Sequence, residues 1–300
     1  MPRLTRLLSS LSSALGPESA RLELKWMKEA AERSSGSLRL PAMVERRLRG
    51  EPLQYILGTQ PFGALDLLVR PPVLIPRPET EDWTLRLSRL IQPSPERPIS
   101  LLDLCTGSGC IPLLLCNTWK PGSVNAYGVD ISEDAIQLAT DNAHRCGVHV
   151  PAEMQPRRYP FNTFKPMLAN IRDPSFLLSA ELRPPFHVIT SNPPYISRQD
   201  FENLPPSVKG YEDHRALIGD PTVYPEPPCS ESGKGLTFYH TIAQLLAQQD
   251  ILTDNGVVAL EIGFNQADDV RQIMQNEGKL PKTEVWRDPW NRDRVVFAGR

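Results

Sequence analysis

Four consecutive residues, Asn192-Pro193-Pro194-Tyr195, directly follow the apolar run Phe186-His187-Val188-Ile189-Thr190-Ser191. Their types suit a chemistry in which a planar nitrogen is held still while a group is transferred to it. A carboxamide nitrogen is a poor nucleophile because its lone pair is delocalised into the carbonyl, and alkylation makes it tetrahedral and positively charged. Acceptor oxygens aimed at its N–H groups stabilise that charge as it develops and hold the lone pair toward the incoming group. The Asn192 side chain offers one such oxygen and the Pro193 carbonyl a second. Neither proline has an N–H, so the turn brings few donors that compete for those oxygens, and consecutive prolines stiffen it. Tyr195 adds a flat face against a planar amide or base. The alternative is a proline-rich strand exit with no chemistry.

Upstream, the apolar run Ile99 to Leu104 opens into Asp103-Leu104-Cys105-Thr106-Gly107-Ser108-Gly109, followed by the apolar stretch Cys110 to Cys116. Gly107 and Gly109 let the backbone bend sharply and bring a ligand close, where a Cβ would collide. The pattern lacks the spacing of the dinucleotide fingerprint. An acid at the strand end suits a ligand with an amino-acid ammonium group, as S-adenosylmethionine has. The next apolar run, Val124 to Val129, ends in Asp130, placed to accept both ribose hydroxyls. A Gly-rich turn alone is often only a tight turn, but two such features one βαβ unit apart point to a nucleotide-like cofactor. In this order the two strings suggest a methyltransferase acting on an amide or amino nitrogen.

The elements that position these residues follow from the hydrophobic rhythm. Strands are expected near 99–104, 124–129, 186–191 and 256–262, with a final pair near 283–287 and 294–298, and helices between them, most clearly Glu133 to Cys146 and Phe238 to Gln249. Alternating strands and helices imply an α/β fold with a mostly parallel, Rossmann-like sheet covered on both faces and closed by an antiparallel pair. Ligands in such sheets sit at the carboxyl ends of the strands, where both strings fall. Residues 18–54 read as a helical N-terminal domain with too little apolar surface to stand alone. Residues 55–79 read as a β-hairpin connector and 80–300 as the catalytic domain. Seven prolines in 151–185 and four more in 221–228 forbid regular helix there, so segments near 151–185 and 221–233 are expected to be surface insertions.

Residues 1–17 carry Arg3, Arg6 and four serines with no acid before Glu18, and Leu4, Leu7, Leu8, Leu11 and Leu15 fall at helical spacing. That combination resembles a mitochondrial targeting segment; the alternative is the first helix of the folded protein. The 33 basic and 35 acidic residues leave a net charge of -2, so no global field draws nucleic acid. Cys105, Cys110, Cys116, Cys146 and Cys229 form no Cys-x-x-Cys pair, which argues against a disulfide framework and a zinc site and for a reducing compartment. No apolar run approaches the roughly 20 residues a membrane span needs. The five histidines lack metal-ligand spacing, with His187 expected as a satisfied core residue, and Trp286 and Trp290 read as hairpin packing.

Residues 40 to 300 resemble the HemK/PrmC-type glutamine N5-methyltransferases, which modify the Gly-Gly-Gln glutamine of peptide-chain release factors. Gly50-Glu51-Pro52-Leu53-Gln54-Tyr55-Ile56-Leu57-Gly58 is similar to the segment joining that family's helical and catalytic domains. Leu74-Ile75-Pro76-Arg77-Pro78-Glu79-Thr80-Glu81 is similar to its Ile-Pro-Arg-Pro-(Glu/Asp)-Thr-Glu signature, and Arg215-Ala216-Leu217, Gly235-Leu236-Thr237-Phe238-Tyr239 and Asp293-Arg294-Val295-Val296 match later positions. The resemblance implies a seven-stranded sheet and S-adenosyl-L-methionine as cofactor. It would place Asp103, Cys105, Thr106, Gly107, Ser108, Gly109, Asp130 and Asn192 against that cofactor. Asn192, Pro193, Pro194 and Tyr195 would hold the target glutamine at the point of transfer, with Arg77 and Glu79 lining or ordering the site; salt bridges that pin the connector are an equally open role for those two. Cys105 stands where the family has the first glycine of its loop, so the backbone there is expected to avoid positive φ. Phe161 or Tyr159 is expected to replace the family's adenine-flanking residues after the third strand.

The expected protein is thus a monomeric methyltransferase of the mitochondrial matrix that takes a release factor as its partner, with no metal, membrane or nucleic-acid partner. Two alternatives stay open: an adenine N6-methyltransferase on DNA or RNA, since an Asn-Pro-Pro-Tyr string serves those enzymes too, and a catalytically silent subunit that keeps the fold.

Overall fold

A computed structural model describes residues 2–33, 39–154, 160–173, 175–178, 181–220 and 233–300. The chain opens with helices α1 (Pro2–Leu15), α2 (Pro17–Arg33), α3 (Leu40–Leu48) and α4 (Leu53–Leu57). Leu11 is fully buried among Ala20, Leu24, Met27, Met43, Val44, Leu53 and Ile56, with Leu7, Leu8 and Leu15 packed at its edge. The leucine spacing of the first residues therefore serves the core of a helical domain. Arg47 ties α3 to α2 through Glu23, at 2.6 and 3.0 Å.

Gly58, left-handed at φ 83, ends α4 and turns the chain into an antiparallel hairpin, β1 (Thr59–Phe62) and β2 (Leu65–Leu68). The hairpin buries Phe62, Leu65 and Leu67 against the catalytic domain. Then follow α5 (Pro78–Leu90), β3 (Ile99–Leu104), α6 (Cys110–Thr118), β4 (Val124–Asp130), α7 (Glu133–Arg145), β5 (Thr163–Leu168) and β6 (Phe186–Ser191). Short helices α8 (Arg198–Glu202), α9 (Pro206–Lys209) and α10 (His214–Leu217) precede α11 (Thr237–Leu246), β7 (Leu252–Glu261), α12 (Ala267–Asn276), β8 (Lys282–Arg287) and β9 (Asp293–Gly299).

Among the described residues the large sheet has seven strands in the order β5-β4-β3-β6-β7-β9-β8, parallel from β5 to β7 and antiparallel through β9 and β8. Side chains alternate along β3, Leu101 joining the core under α5, α6 and α7 while Leu102 joins the core under α11 and α12. Strand order reverses between β3 and β6, and a parallel sheet opens a ligand crevice at such a switch point.

Three sequence expectations need correction. Residues 151–185 are not a surface insertion throughout, because Thr163–Leu168 is the third strand of the sheet, with Phe164 fully buried. Its Pro166 is tolerable because β5 is an edge strand, where a missing N–H can face outward. The proline-rich residues 221–232 lie outside the described residues. His187 is exposed rather than core, its Nδ1 accepting from the Ser100 N–H at 3.1 Å. Trp286 is buried and stacks on Phe297 at 4.7 Å, but Trp290 is 64% exposed.

Candidate active site

The loop after β3 makes a tight circuit to the end of β4. Thr106 N–H donates to the Val129 carbonyl and Gly109 N–H to the Thr106 carbonyl, each at 2.9 Å. Those bonds require left-handed backbone at Cys105 (φ 57), Gly107 (φ 54) and Gly109 (φ 78). The expectation that Cys105 avoids positive φ is therefore wrong: the loop's hydrogen bonds dictate its conformation, at a cost of about 1–2 kcal/mol for a residue with a Cβ. Gly109 begins α6, and a Cβ there would stand 3.0 Å from the Phe164 ring and 3.3 Å from Ala139. The third strand and the cofactor loop are thus packed against each other.

Two carboxylates flank this loop. Asp103 is fully buried; its Oδ1 accepts from the Thr190 hydroxyl at 2.6 Å, and its Oδ2 has no hydrogen-bond partner among the described residues. Burial pushes its carboxyl up to about 7, opposed by the Thr190 hydroxyl, and the Thr106 hydroxyl lies beside it without completing a hydrogen bond. An orphaned buried carboxylate oxygen is costly unless a cationic ligand group meets it, so the site fits the ammonium of an amino-acid ligand. Asp130 accepts from the Gly107 N–H and the Ser132 N–H, both at 2.9 Å. Burial raises its carboxyl as well, and those two donors oppose the rise. Ser108 is buried beneath the loop, its carbonyl accepting from Asn142 at 3.0 Å.

Across the switch point β6 ends at Ser191, whose hydroxyl donates to the Leu104 carbonyl at 2.8 Å and clamps the two strand ends together. Asn192 is half-buried and its Nδ2 donates to Thr80 Oγ1 at 3.3 Å. Neither Asn192 Oδ1 nor the Pro193 carbonyl accepts a hydrogen bond from the described residues. Pro193 and Pro194 are buried. The Tyr195 hydroxyl lies 3.4 Å from Glu261 Oε1, and the Tyr195 carbonyl accepts from Gln266 Nε2 at 2.9 Å.

A cavity of about 380 Å³ joins the two strings. Cys105, Gly107 and Asp130 line one side, and Asn192 and Pro194 the other. Arg77 does not line it: its guanidinium pairs with buried Glu212 at 2.6 and 2.8 Å, which pins the connector to the segment before α10. Glu79 also stands outside the lining. Phe161 sits before β5, at the opposite end of that strand, with its ring 4.6 Å from His149, while Tyr159 lies outside the described residues. The wall after the third strand is built instead by Ala169, Asn170 and Ile171, with Ile131 following β4.

Sequence reasoning missed those wall residues because it missed β5. It also missed Glu261, a buried acid ending β7 that accepts from the Thr80 hydroxyl at 2.6 Å and the Trp83 indole at 2.8 Å. The signal was present, since Glu261 closes an apolar strand as Asp103 and Asp130 do.

No protein-family model matches the chain. Curated relatives do. The release factor glutamine methyltransferase of Geobacter sulfurreducens is 33% identical over 296 residues, spanning 94% of this chain and 90% of its own length. The enzyme of that name from Fusobacterium nucleatum is 33% identical over 92% of this chain and 68% of its own, and that from Bacillus cereus 31% over 85% and 78%. Among solved structures, a methyltransferase from Pyrococcus furiosus is 14% identical with a TM-score of 0.47, covering 79% of this chain and 89% of that one. With identity at this level over most of both sequences, the chain belongs to the release factor glutamine methyltransferases.

Proposed function

We propose that this protein transfers a methyl group from S-adenosyl-L-methionine to the side-chain amide nitrogen of the glutamine in the Gly-Gly-Gln motif of a peptide-chain release factor. The observation that carries the reading is that one cavity is lined on one side by Cys105, Gly107 and Asp130 and on the other by Asn192 and Pro194. Asp103 and the Cys105–Gly109 turn would hold the cofactor's amino-acid end, and Asp130 its ribose. The cofactor supplies an electrophilic methyl group on a sulfonium. Asn192 Oδ1 and the Pro193 carbonyl accept hydrogen bonds from the substrate amide, hold its nitrogen in place and stabilise the positive charge it gains. Tyr195 stacks on the planar amide. No strong base is needed, because the alkylated nitrogen becomes acidic and loses its proton readily.

The finer reading is that the substrate is a mitochondrial-type release factor and that the protein works as a monomer in the mitochondrial matrix. Arg3, Arg6 and the amphipathic leucines support the address. Because Leu11 belongs to the helical core, address and fold would share residues. A reporter fused to residues 1–17 that stays outside mitochondria would count against that location.

The activity is tested with labelled S-adenosylmethionine, a mitochondrial-type release factor, its Gly-Gly-Gln→Gly-Gly-Ala variant, and duplex and single-stranded DNA in parallel. Label on the release factor, absent from the variant and from DNA, is expected. Label on DNA would favour the adenine alternative, which the net charge of -2 opposes. Cofactor binding without any label would favour the silent subunit.

A further inference from the structure

We infer that Glu261 is a positioning residue that, through the Thr80 hydroxyl, sets which end of the Asn192 carboxamide faces the substrate. The inference rests on the acceptor role proposed above for Asn192. A carboxamide is nearly symmetric in shape but not in chemistry: its oxygen accepts and its NH2 donates. Only the oxygen can stabilise a nitrogen that is becoming positive, so something must choose between the two rotations.

The hydrogen bonds around Asn192 make that choice in sequence. Glu261 ends β7, the strand beside β6, with Leu260 in register with Ser191 just before Asn192. Thr80 belongs to the first turn of α5 and is itself 1% exposed. Thr80 Oγ1 donates to Glu261 Oε2 at 2.6 Å, and Asn192 Nδ2 donates to Thr80 Oγ1 at 3.3 Å. A carboxylate can only accept, so the single Thr80 hydrogen is committed to Glu261 and its lone pair turns to Asn192. That lone pair takes an N–H and cannot take the oxygen, which leaves Oδ1 for the substrate amide.

The Glu261 carboxylate is placed to accept. It is 1% exposed and surrounded by donors, with Trp83 Nε1 at 2.8 Å from Oε2 and the Tyr195 hydroxyl at 3.4 Å from Oε1. Arg294, whose charge lowers the Glu261 pKa, makes its own ion pair with Asp288 at 3.2 Å. Burial raises the Glu261 carboxyl and the charge of Glu79 adds to the rise, while the Thr80 and Trp83 donors of α5 and the charge of Arg294 oppose it. The buried acid therefore acts at a distance of two hydrogen bonds from the transfer site.

A glutamine at this position would break the polarity. Its NH2 can donate to Thr80, freeing the hydroxyl to donate toward Asn192 and letting the carboxamide turn its NH2 to the substrate. An NH2 there repels the target's own N–H groups and welcomes a carboxylate. The relay thus predicts a loss of discrimination between Gly-Gly-Gln and Gly-Gly-Glu as well as a loss of rate.

The experiment compares the full chain with its Glu261→Gln, Thr80→Val and Thr80→Ser variants. It reads labelled methyl transfer to the release factor, cofactor affinity, and binding of the release factor against its Gly-Gly-Glu variant. Expected are a fall in kcat of roughly 10- to 100-fold for Glu261→Gln and Thr80→Val, unchanged cofactor affinity, and a Gln-to-Glu affinity ratio that drops toward one. Thr80→Ser, which keeps the hydroxyl, should rescue most of the loss. Normal kcat in both disruptive variants overturns the relay, and so does a fall in kcat with the ratio unchanged, which marks a structural role only. If Glu261→Gln does not fold, the Thr80→Val and Thr80→Ser pair decides. A folded wild type that binds cofactor but never labels the release factor instead overturns the proposed function itself, and the relay with it.

Discussion

At the scale of single residues, burial makes the charge state of Asp103 depend on what binds beside it. Its folded pKa of about 7 lies above the unfolded value of about 3.9, so the empty native chain holds a proton that the unfolded chain has released between those values. This group therefore favours the fold below about pH 4, and the advantage is lost as pH climbs through about 7. An ammonium bound against Oδ2 requires the ionised form. Affinity for S-adenosylmethionine should accordingly weaken by up to roughly tenfold per pH unit below about 7 and level off above it. Titration calorimetry at several pH values checks this, and Asp103→Asn should flatten the profile while weakening binding above that range. A flat wild-type profile would show that the carboxyl does not meet the ammonium. Asn192 sits at the other side of the same cavity and should behave in the opposite way. Asn192→Ala should lower turnover by roughly 10²-fold or more, by analogy with removing one transition-state hydrogen-bonding group, and leave cofactor affinity intact. Near-normal turnover would remove it from the transfer step.

At the scale of elements, the positions that carry the chemistry are held by segments remote in sequence. Gly235 has φ 76, and a Cβ on it would run into the Tyr195 carbonyl. The strap that carries it is tied down by Asp220, which accepts from the Gly233 and Gly235 N–H groups at 3.0 and 2.7 Å and from Thr237 at 2.8 Å. With no room to retreat, Gly235→Ala should cost about 2 kcal/mol or more in stability and should slow transfer by displacing Tyr195. Thermal melting and turnover measured together check this; an unchanged melting temperature would mean that the strap yields. Elements of this kind also mark where sequence reasoning succeeded and stopped. Strands β3, β4 and β6 were legible because each is an apolar run that ends in a residue with chemistry, and the cofactor loop and the Asn192 string fall at those ends. Strand β5 was not, because Pro166 and its proline-rich flanks read as loop, and only its place at the sheet edge makes a proline admissible. The cavity wall at Ala169 to Ile171 was lost with it. The φ of Cys105 was illegible for a different reason: hydrogen bonds to β4 impose it, and a residue's own preference does not reveal a cost its neighbours force on it.

At the scale of the whole molecule, the apolar residues divide into separate cores. Leu11, Met27, Met43 and Ile56 form a helical core distinct from the two that sandwich the sheet. One link between them is Tyr55, which reaches from α4 to the Val73 carbonyl at 2.7 Å and packs with Val69 and Ile75. Ligand binding stabilises only the unit that makes the site, by about 2.7 kcal/mol at a concentration a hundredfold above Kd. A core truncation acts on the other unit, Leu11→Ala costing about 2–4 kcal/mol. The two perturbations should therefore separate in a thermal melt. Saturating S-adenosylmethionine should raise the transition of the sheet domain and leave the helical one in place, and Leu11→Ala should lower the helical transition with cofactor affinity unchanged. If both treatments instead move one common transition, the contacts of Tyr55 couple the domains strongly enough for them to unfold together. The helical domain would then contribute to the site energetically, through the connector that leads into α5 and its Thr80.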